Sequence, residues 1–143
     1  MTDEELREKL ADLLTRDQRD PEVLRQIAYT NDALGNEHEA LPYYEKVLEM
    51  DASDRLRTWT YYGSTLRTCG SYEDALAACG KGLAEFPGDR GLRTFRAMAL
   101  HNLGRHREAV QDLLKILAQT KQVGGYERAV EFYAENLDLT VLK

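Results

Sequence analysis

Apolar residues recur along this chain at the three- and four-residue steps of a helix, in paired stretches divided by glycine. Leu24, Ile27, Ala28 and Leu34 mark one helical face, and Ala40, Leu41, Tyr44, Val47 and Leu48 mark the next. Gly35, between them, returns as Gly70 and Gly104, after 35 and 34 residues. Each glycine is followed five residues later by alanine, at Ala40, Ala75 and Ala109. A period near 34 residues with two helical stretches per period predicts a helix-turn-helix solenoid. The glycines fall where one helix ends and the chain reverses, a position that often needs a left-handed backbone. The small alanines let each second helix approach the first closely.

Start signals agree with these elements. Asp20 before Pro21, Asn36 with Glu39, Ser71 with Asp74, and Asp89 all predict capped helix starts. Pro42 falls beyond the first turn, which predicts a kink or a late start for its helix. An N-terminal helix is expected over about 3–16, with Leu6, Leu10, Leu13 and Leu14 on one face. At the other end, the run Gly125-Tyr126-Glu127-Arg128-Ala129 resembles the second-helix motif of Gly70–Ala75, with no first helix before it. Residues 126–138 therefore read as an orphan half-repeat that caps the stack, because stacked helix pairs leave an apolar face bare at each end.

The second unit carries a family resemblance: Trp59, Tyr62, Gly63, Leu66, Gly70, Tyr72, Ala75 and Pro87 fit the pattern of tetratricopeptide repeats. The first unit keeps Leu24, Ile27, Ala28, Gly35, Ala40, Tyr44 and Val47 but has Ala52 where proline is usual. The third keeps Ala97, Leu100, Gly104, Ala109, Leu113 and Ile116 and departs at Arg93, Arg96 and Lys121. The sequence leaves open whether Arg93 and Arg96 are buried or face the groove. The order of the parts also resembles a family of small bacterial proteins of this repeat class with no assigned chemistry. The expected fold is all-α: a right-handed α-solenoid of about three repeats (21–54, 56–89, 90–123) in a single domain, 1–143.

In arrays of this class the first helices line a concave groove. The resemblance places Arg25 and Tyr29 there from the first unit, Arg57, Thr60, Ser64 and Arg67 from the second, and Thr94, Met98 and His101 from the third. Arginine suits carboxylates because its planar fork holds both oxygens at once. The expected ligand is a peptide or protein segment, acidic or ending in a free carboxylate. Arg57 and Arg67, ten residues apart, are expected to share one helix face with Ser64 between them. The chaperone-tail clamp of this class is not expected, because its five positions hold Arg25, Tyr29, Tyr61, Gly91 and Phe95, and only Arg25 fits. The alternative reading is a self-associating scaffold, a homodimer joined through Tyr126, Val130, Phe132, Tyr133 and Leu137.

Composition narrows the functional classes. Residues 1–54 carry 15 acidic and 6 basic side chains, while residues 55–143 carry 10 and 13, so the net charge of −6 is unevenly spread. That polarity can favour association of unlike ends or steer a charged partner. Arg90, Arg93, Arg96, Arg105 and Arg107 cluster without a reading helix or stacking motif, so nucleic acid is not an expected partner. His38, His101 and His106 do not make a metal-ligand set, and no phosphate-binding loop, dinucleotide fingerprint or nucleophile elbow is present. No catalytic residue, metal or cofactor is expected. No apolar run approaches the ~20 residues needed to span a bilayer. The acidic start lacks a secretory signal's basic and apolar regions, so a cytoplasmic protein is expected. Cys69 and Cys79, ten residues apart, lack redox-pair spacing.

Overall fold

The computed structural model describes residues 1–137 and Leu139. Among these, eight helices follow one another without a strand: α1 (Asp3–Leu14), α2 (Pro21–Ala33), α3 (Glu37–Leu48), α4 (Arg55–Thr68), α5 (Tyr72–Glu85), α6 (Arg90–Asn102), α7 (His106–Gln119) and α8 (Glu127–Glu135). Each helix packs against the next, and α4 also packs against α6. The result is an α-solenoid of three helix pairs, with α1 at the front and α8 at the back.

The three turn glycines build one motif three times. Gly35, Gly70 and Gly104 have φ of 78°, 81° and 78°, the left-handed region that side chains with a β-carbon rarely adopt. Their N–H groups bond to the carbonyls of Asp32, Arg67 and His101. The N–H groups of Asn36, Ser71 and Arg105 reach back to Asn31, Leu66 and Leu100. This paired closure satisfies carbonyls that a helix end otherwise leaves bare. Lys121 closes α7 the same way at φ 57°, with bonds from Lys121 and Gln122 to Ala118 and Leu117. A lysine there accepts strain that glycine avoids.

Several expectations need correction. Asn36 and Ser71 make no side-chain cap. Their backbones (ψ 58° and 66°) are not extended, because each is already fixed by the preceding turn closure, and the Asn36 amide bonds Asn31 instead, at 3.3 Å. Thr2, Asp20 and Asp89 do cap their helices, and Thr2 with Glu5 completes a reciprocal capping box. α3 does not start late: it begins at Glu37 and runs through the exposed Pro42. α1 ends at Leu14, which is 45% exposed while Leu13 is buried and Leu6 and Leu10 are half-buried, so the leucine face holds three residues rather than four. α8 spans Glu127–Glu135, and its buried contact is Ala134. Tyr126, Phe132 and Tyr133 are exposed, and Val130 and Leu137 half-buried. Asp138, the expected end of that helix, lies outside the described residues.

The core sits between successive pairs. Trp59, Leu66, Ala75, Ala78, Leu92 and Ala99 form its central cluster, with Leu41 and Leu48 of α3 and Leu76 and Leu83 of α5 packed against it. Hydrogen bonds also join the units: Asp32 accepts from Tyr44 within the first pair and from Thr65 of the second at 2.6 Å. Both cysteines are free thiols, and burial pushes Cys79 up to about 11.

Candidate functional site

The sequence-predicted groove residues separate into two cavities and a remainder. Arg25, Tyr29 and Arg57 line a cavity of about 430 Å³ between α1, α2 and α4, together with Lys9, Asp54 and Tyr61. Arg67, Met98 and His101 line a second, of about 300 Å³, with Ala97 and Asn102 of α6 and His106, Ala109, Val110 and Leu113 of α7. Thr60, Ser64 and Thr94 line neither. The Thr60 and Thr94 hydroxyls bond the Leu56 and Arg90 carbonyls of their own helices, at 2.8 and 2.7 Å.

In the first cavity the chain supplies its own carboxylate. Asp54, at the N-terminus of α4 with φ 60°, lies 3.8 Å from Arg25, 3.7 Å from Arg57 and 3.1 Å from the Tyr29 hydroxyl. Arg25 is spent further: its guanidinium pairs with Glu22 and donates to the Ser53 carbonyl at 3.1 Å and hydroxyl at 3.0 Å, leaving the side chain 12% exposed. Burial, ahead of the hydrogen bond shared with Thr58, leaves Tyr29 raised to about 12, so it stays a neutral phenol. Arg57, although paired with Asp54, keeps its side chain 61% exposed. An incoming carboxylate would meet the one already seated there.

The second cavity is built differently. Its floor is apolar, made by Ala97, Met98, Ala109, Val110 and Leu113, and its rim is basic. Arg67 reaches it from the last turn of α4, where its Nη1 makes a 3.4 Å contact with Asn102 Oδ1, long for a hydrogen bond. Its Nε is buried and has no partner. A buried guanidinium donor left unmade is costly. His101 and His106 complete the rim with their Nδ1 atoms 2.9 Å apart. In that contact one ring nitrogen donates and the other accepts, according to the tautomers.

His106, Val110 and Leu113 come from a second helix, and reading only the first helices missed them. The signal was their spacing: His106, Val110, Leu113 and Leu117 recur at four-, three- and four-residue steps, one helix stripe, and all four are exposed. The departures at Arg93 and Arg96 are half-buried. Arg93 donates at 2.7 Å to both Asp112 and Gln119 of α7, a structural tie between the two helices of its pair. Among the described residues no group of three or more His, Cys, Asp or Glu could hold a metal ion. None of their helices is long and apolar enough to cross a membrane.

Helix pairs stacked in this way define a helical-repeat solenoid. The family model described as Tetratrico peptide repeat matches residues 21–137, from the start of α2 to beyond the end of α8, and the chain belongs to that family. No curated protein matches it. Tetratricopeptide repeats are protein-interaction or scaffold modules, generally without catalysis.

Proposed function

We propose that this chain is a non-catalytic interaction domain that takes a partner segment on the face formed by α6 and α7. The partner seats an apolar side chain in the Met98–Val110–Leu113 hollow and sets a carboxylate against Arg67. The observation that carries this reading is an apolar cavity rimmed by Arg67, whose Nη1 has only a long 3.4 Å contact with Asn102. Like that of Arg67, the Arg25 Nε is buried without a partner, but its cavity already holds the Asp54 carboxylate, 3.8 Å from that guanidinium.

Affinity capture from the native cell tests it, comparing the parent chain with Arg67→Ala, Met98→Glu and Arg57→Ala. Arg67→Ala and Met98→Glu lose the captured protein with helix content and melting temperature nearly unchanged, and Arg57→Ala keeps it. Unaltered capture by folded Arg67→Ala and Met98→Glu variants removes the α6–α7 face as the working surface.

A second reading has its own support. Phe132 and Tyr133 stack edge-to-face with centroids 5.3 Å apart, and both remain exposed, as does Tyr126. Apolar rings on a terminal helix suit a homodimer in which two copies of α8 meet across a two-fold axis. Light scattering of the chain with and without residues 126–143 measures whether that helix joins two copies.

A further inference from the structure

The three repeats are built on one plan, so equivalent positions can be compared. Tyr44, Cys79 and Leu113 each follow the repeat alanine by four residues. Tyr44 and Cys79 are 0% and 1% exposed, whereas Leu113 is 38% exposed. Leu41 and Leu76, one residue after the alanine, pack into the neighbouring core clusters, and their equivalent Val110 is exposed. Leu48 and Leu83 are half-buried against the central cluster, and their equivalent Leu117 is exposed. In the first two repeats these positions are covered by the elements that follow. In the third, α8 packs on α7 yet leaves all three bare.

The opposite end of the chain carries a matching surface. α1 buries Leu13 against α2 and leaves Ala11 and Leu14 exposed along a shallow groove with Leu10 and Leu34. Charge separates the two ends. α1 holds five acidic residues against two basic. Residues 90–119, which make α6 and α7, hold six basic against two acidic, with His101 and His106 besides.

From these observations we infer that the bare α7 stripe is covered by the acidic α1 end of a second copy of this chain, so that copies associate head to tail. The inference rests on the reading of the α6–α7 face as a binding surface and names its occupant. Apolar Leu14 and Ala11 meet Val110, Leu113 and Leu117, while the acids of α1 face the basic rim. Two copies of the basic end would instead face each other with like charge, which disfavours a two-fold contact there. A heterologous contact leaves one free end of each kind, so assembly continues into open chains unless its rotation closes a ring. The electrostatic part weakens as salt shortens the screening length.

The test is a capping experiment on the full chain, read by light scattering across a concentration series. The parent chain grows past a dimer as concentration rises, and shrinks as salt is added. Leu14→Lys blocks the front by setting a cation against the basic end, and Leu113→Glu blocks the back by setting an anion against α1. Each variant alone is a monomer with parental helix content. Mixed in equal amounts they associate again, because the intact front of Leu113→Glu meets the intact back of Leu14→Lys. Ala11→Arg and Val110→Glu repeat the design should either of the first pair misfold. A parent chain that stays monomeric at high micromolar concentration overturns the inference. So does a mixture that stays monomeric, or a Leu14→Lys variant that still dimerises alone. If the parent is monomeric and Arg67→Ala nonetheless abolishes capture of a different protein, head-to-tail assembly fails and the α6–α7 binding surface stands.

Discussion

A β-carbon placed on Gly63 would lie 2.8 Å from the Cys79 sulfur, so the two helices of the second repeat touch at glycine against thiol. Cys79 is itself buried, and its sulfur sits on a side chain too short to move aside. Two effects of Gly63→Ala oppose each other. Alanine in a helix interior gains roughly 0.5–1 kcal/mol over glycine. Overpacking a tight contact costs typically about 1–3 kcal/mol, and at 2.8 Å the second effect wins. Gly63→Ala is expected to lower the chemical-denaturation midpoint, and adding Cys79→Ala is expected to restore part of the loss. Additive penalties in the double variant would show that the two positions do not share one contact.

Trp59 is 8% exposed in the central cluster, and its β-carbon would lie 3.0 Å from one built on Gly82. It joins α3, α4 and α5, so its removal loosens the first two repeats together. Truncating a buried large aromatic costs about 3–5 kcal/mol. Trp59→Ala is therefore expected to be among the most damaging single changes. A loss below about 1 kcal/mol in chemical denaturation would contradict its burial.

Arg55 binds three segments at once. It donates to the carbonyls of Leu48 and Met50 at the end of α3, at 3.3 and 2.8 Å, and to Glu85 at the end of α5 through Nη2 at 2.6 Å and Nε at 2.9 Å. The hydrogen bonds from Arg55 hold the Glu85 carboxyl below its ordinary value. The indole N–H of Trp59 adds to this lowering, although it makes no complete hydrogen bond. A carboxyl whose pKa falls on folding stabilises the native state above its unfolded pKa, near 4.5, and that stability is lost as pH drops through the lower folded value. Glu85→Gln is expected to cost up to about 1 kcal/mol near neutral pH, the range for a partly exposed pair, and almost nothing at a pH below the lowered folded value. Urea titrations at the two pH values measure the difference. An equal loss at both would mean that Glu85 acts through packing rather than charge.

What could be read from the chain follows from how locally each feature is fixed. Gly35, Gly70 and Gly104 were legible because few other residues accept a left-handed φ, and one turn fixes the rest of the motif. The same turns made Asn36 and Ser71 look like caps, although the closure that uses their N–H groups holds their backbones away from cap geometry. The site was less legible. Ten residues at 100° each fall about 80° short of three full turns, so Arg57 and Arg67 diverge along α4 and line separate cavities. Asp54, which occupies the first cavity, lies just outside α4, where counting helix positions could not find it. Ala134, the buried contact of α8, is too small to stand out among the larger apolar neighbours that remain exposed.

The bare back face yields a prediction that needs no partner. Leu92 and Leu113 both belong to the third repeat, but Leu92 is completely buried, whereas Leu113 is 38% exposed on α7. If both were core residues, each leucine-to-alanine change would cost about 2–5 kcal/mol. The exposure of Leu113 instead places it with surface positions, where changes usually stay within about 0.5 kcal/mol. Leu92→Ala is therefore expected to show a large loss in chemical denaturation at low protein concentration, and Leu113→Ala almost none. The contrast should shrink as concentration rises, because a face that binds a second copy adds stability by mass action and Leu113→Ala removes that gain. A Leu113→Ala penalty above about 2 kcal/mol in the dilute monomer would place Leu113 in the core, covered within the same chain, and would close the α7 face to any partner.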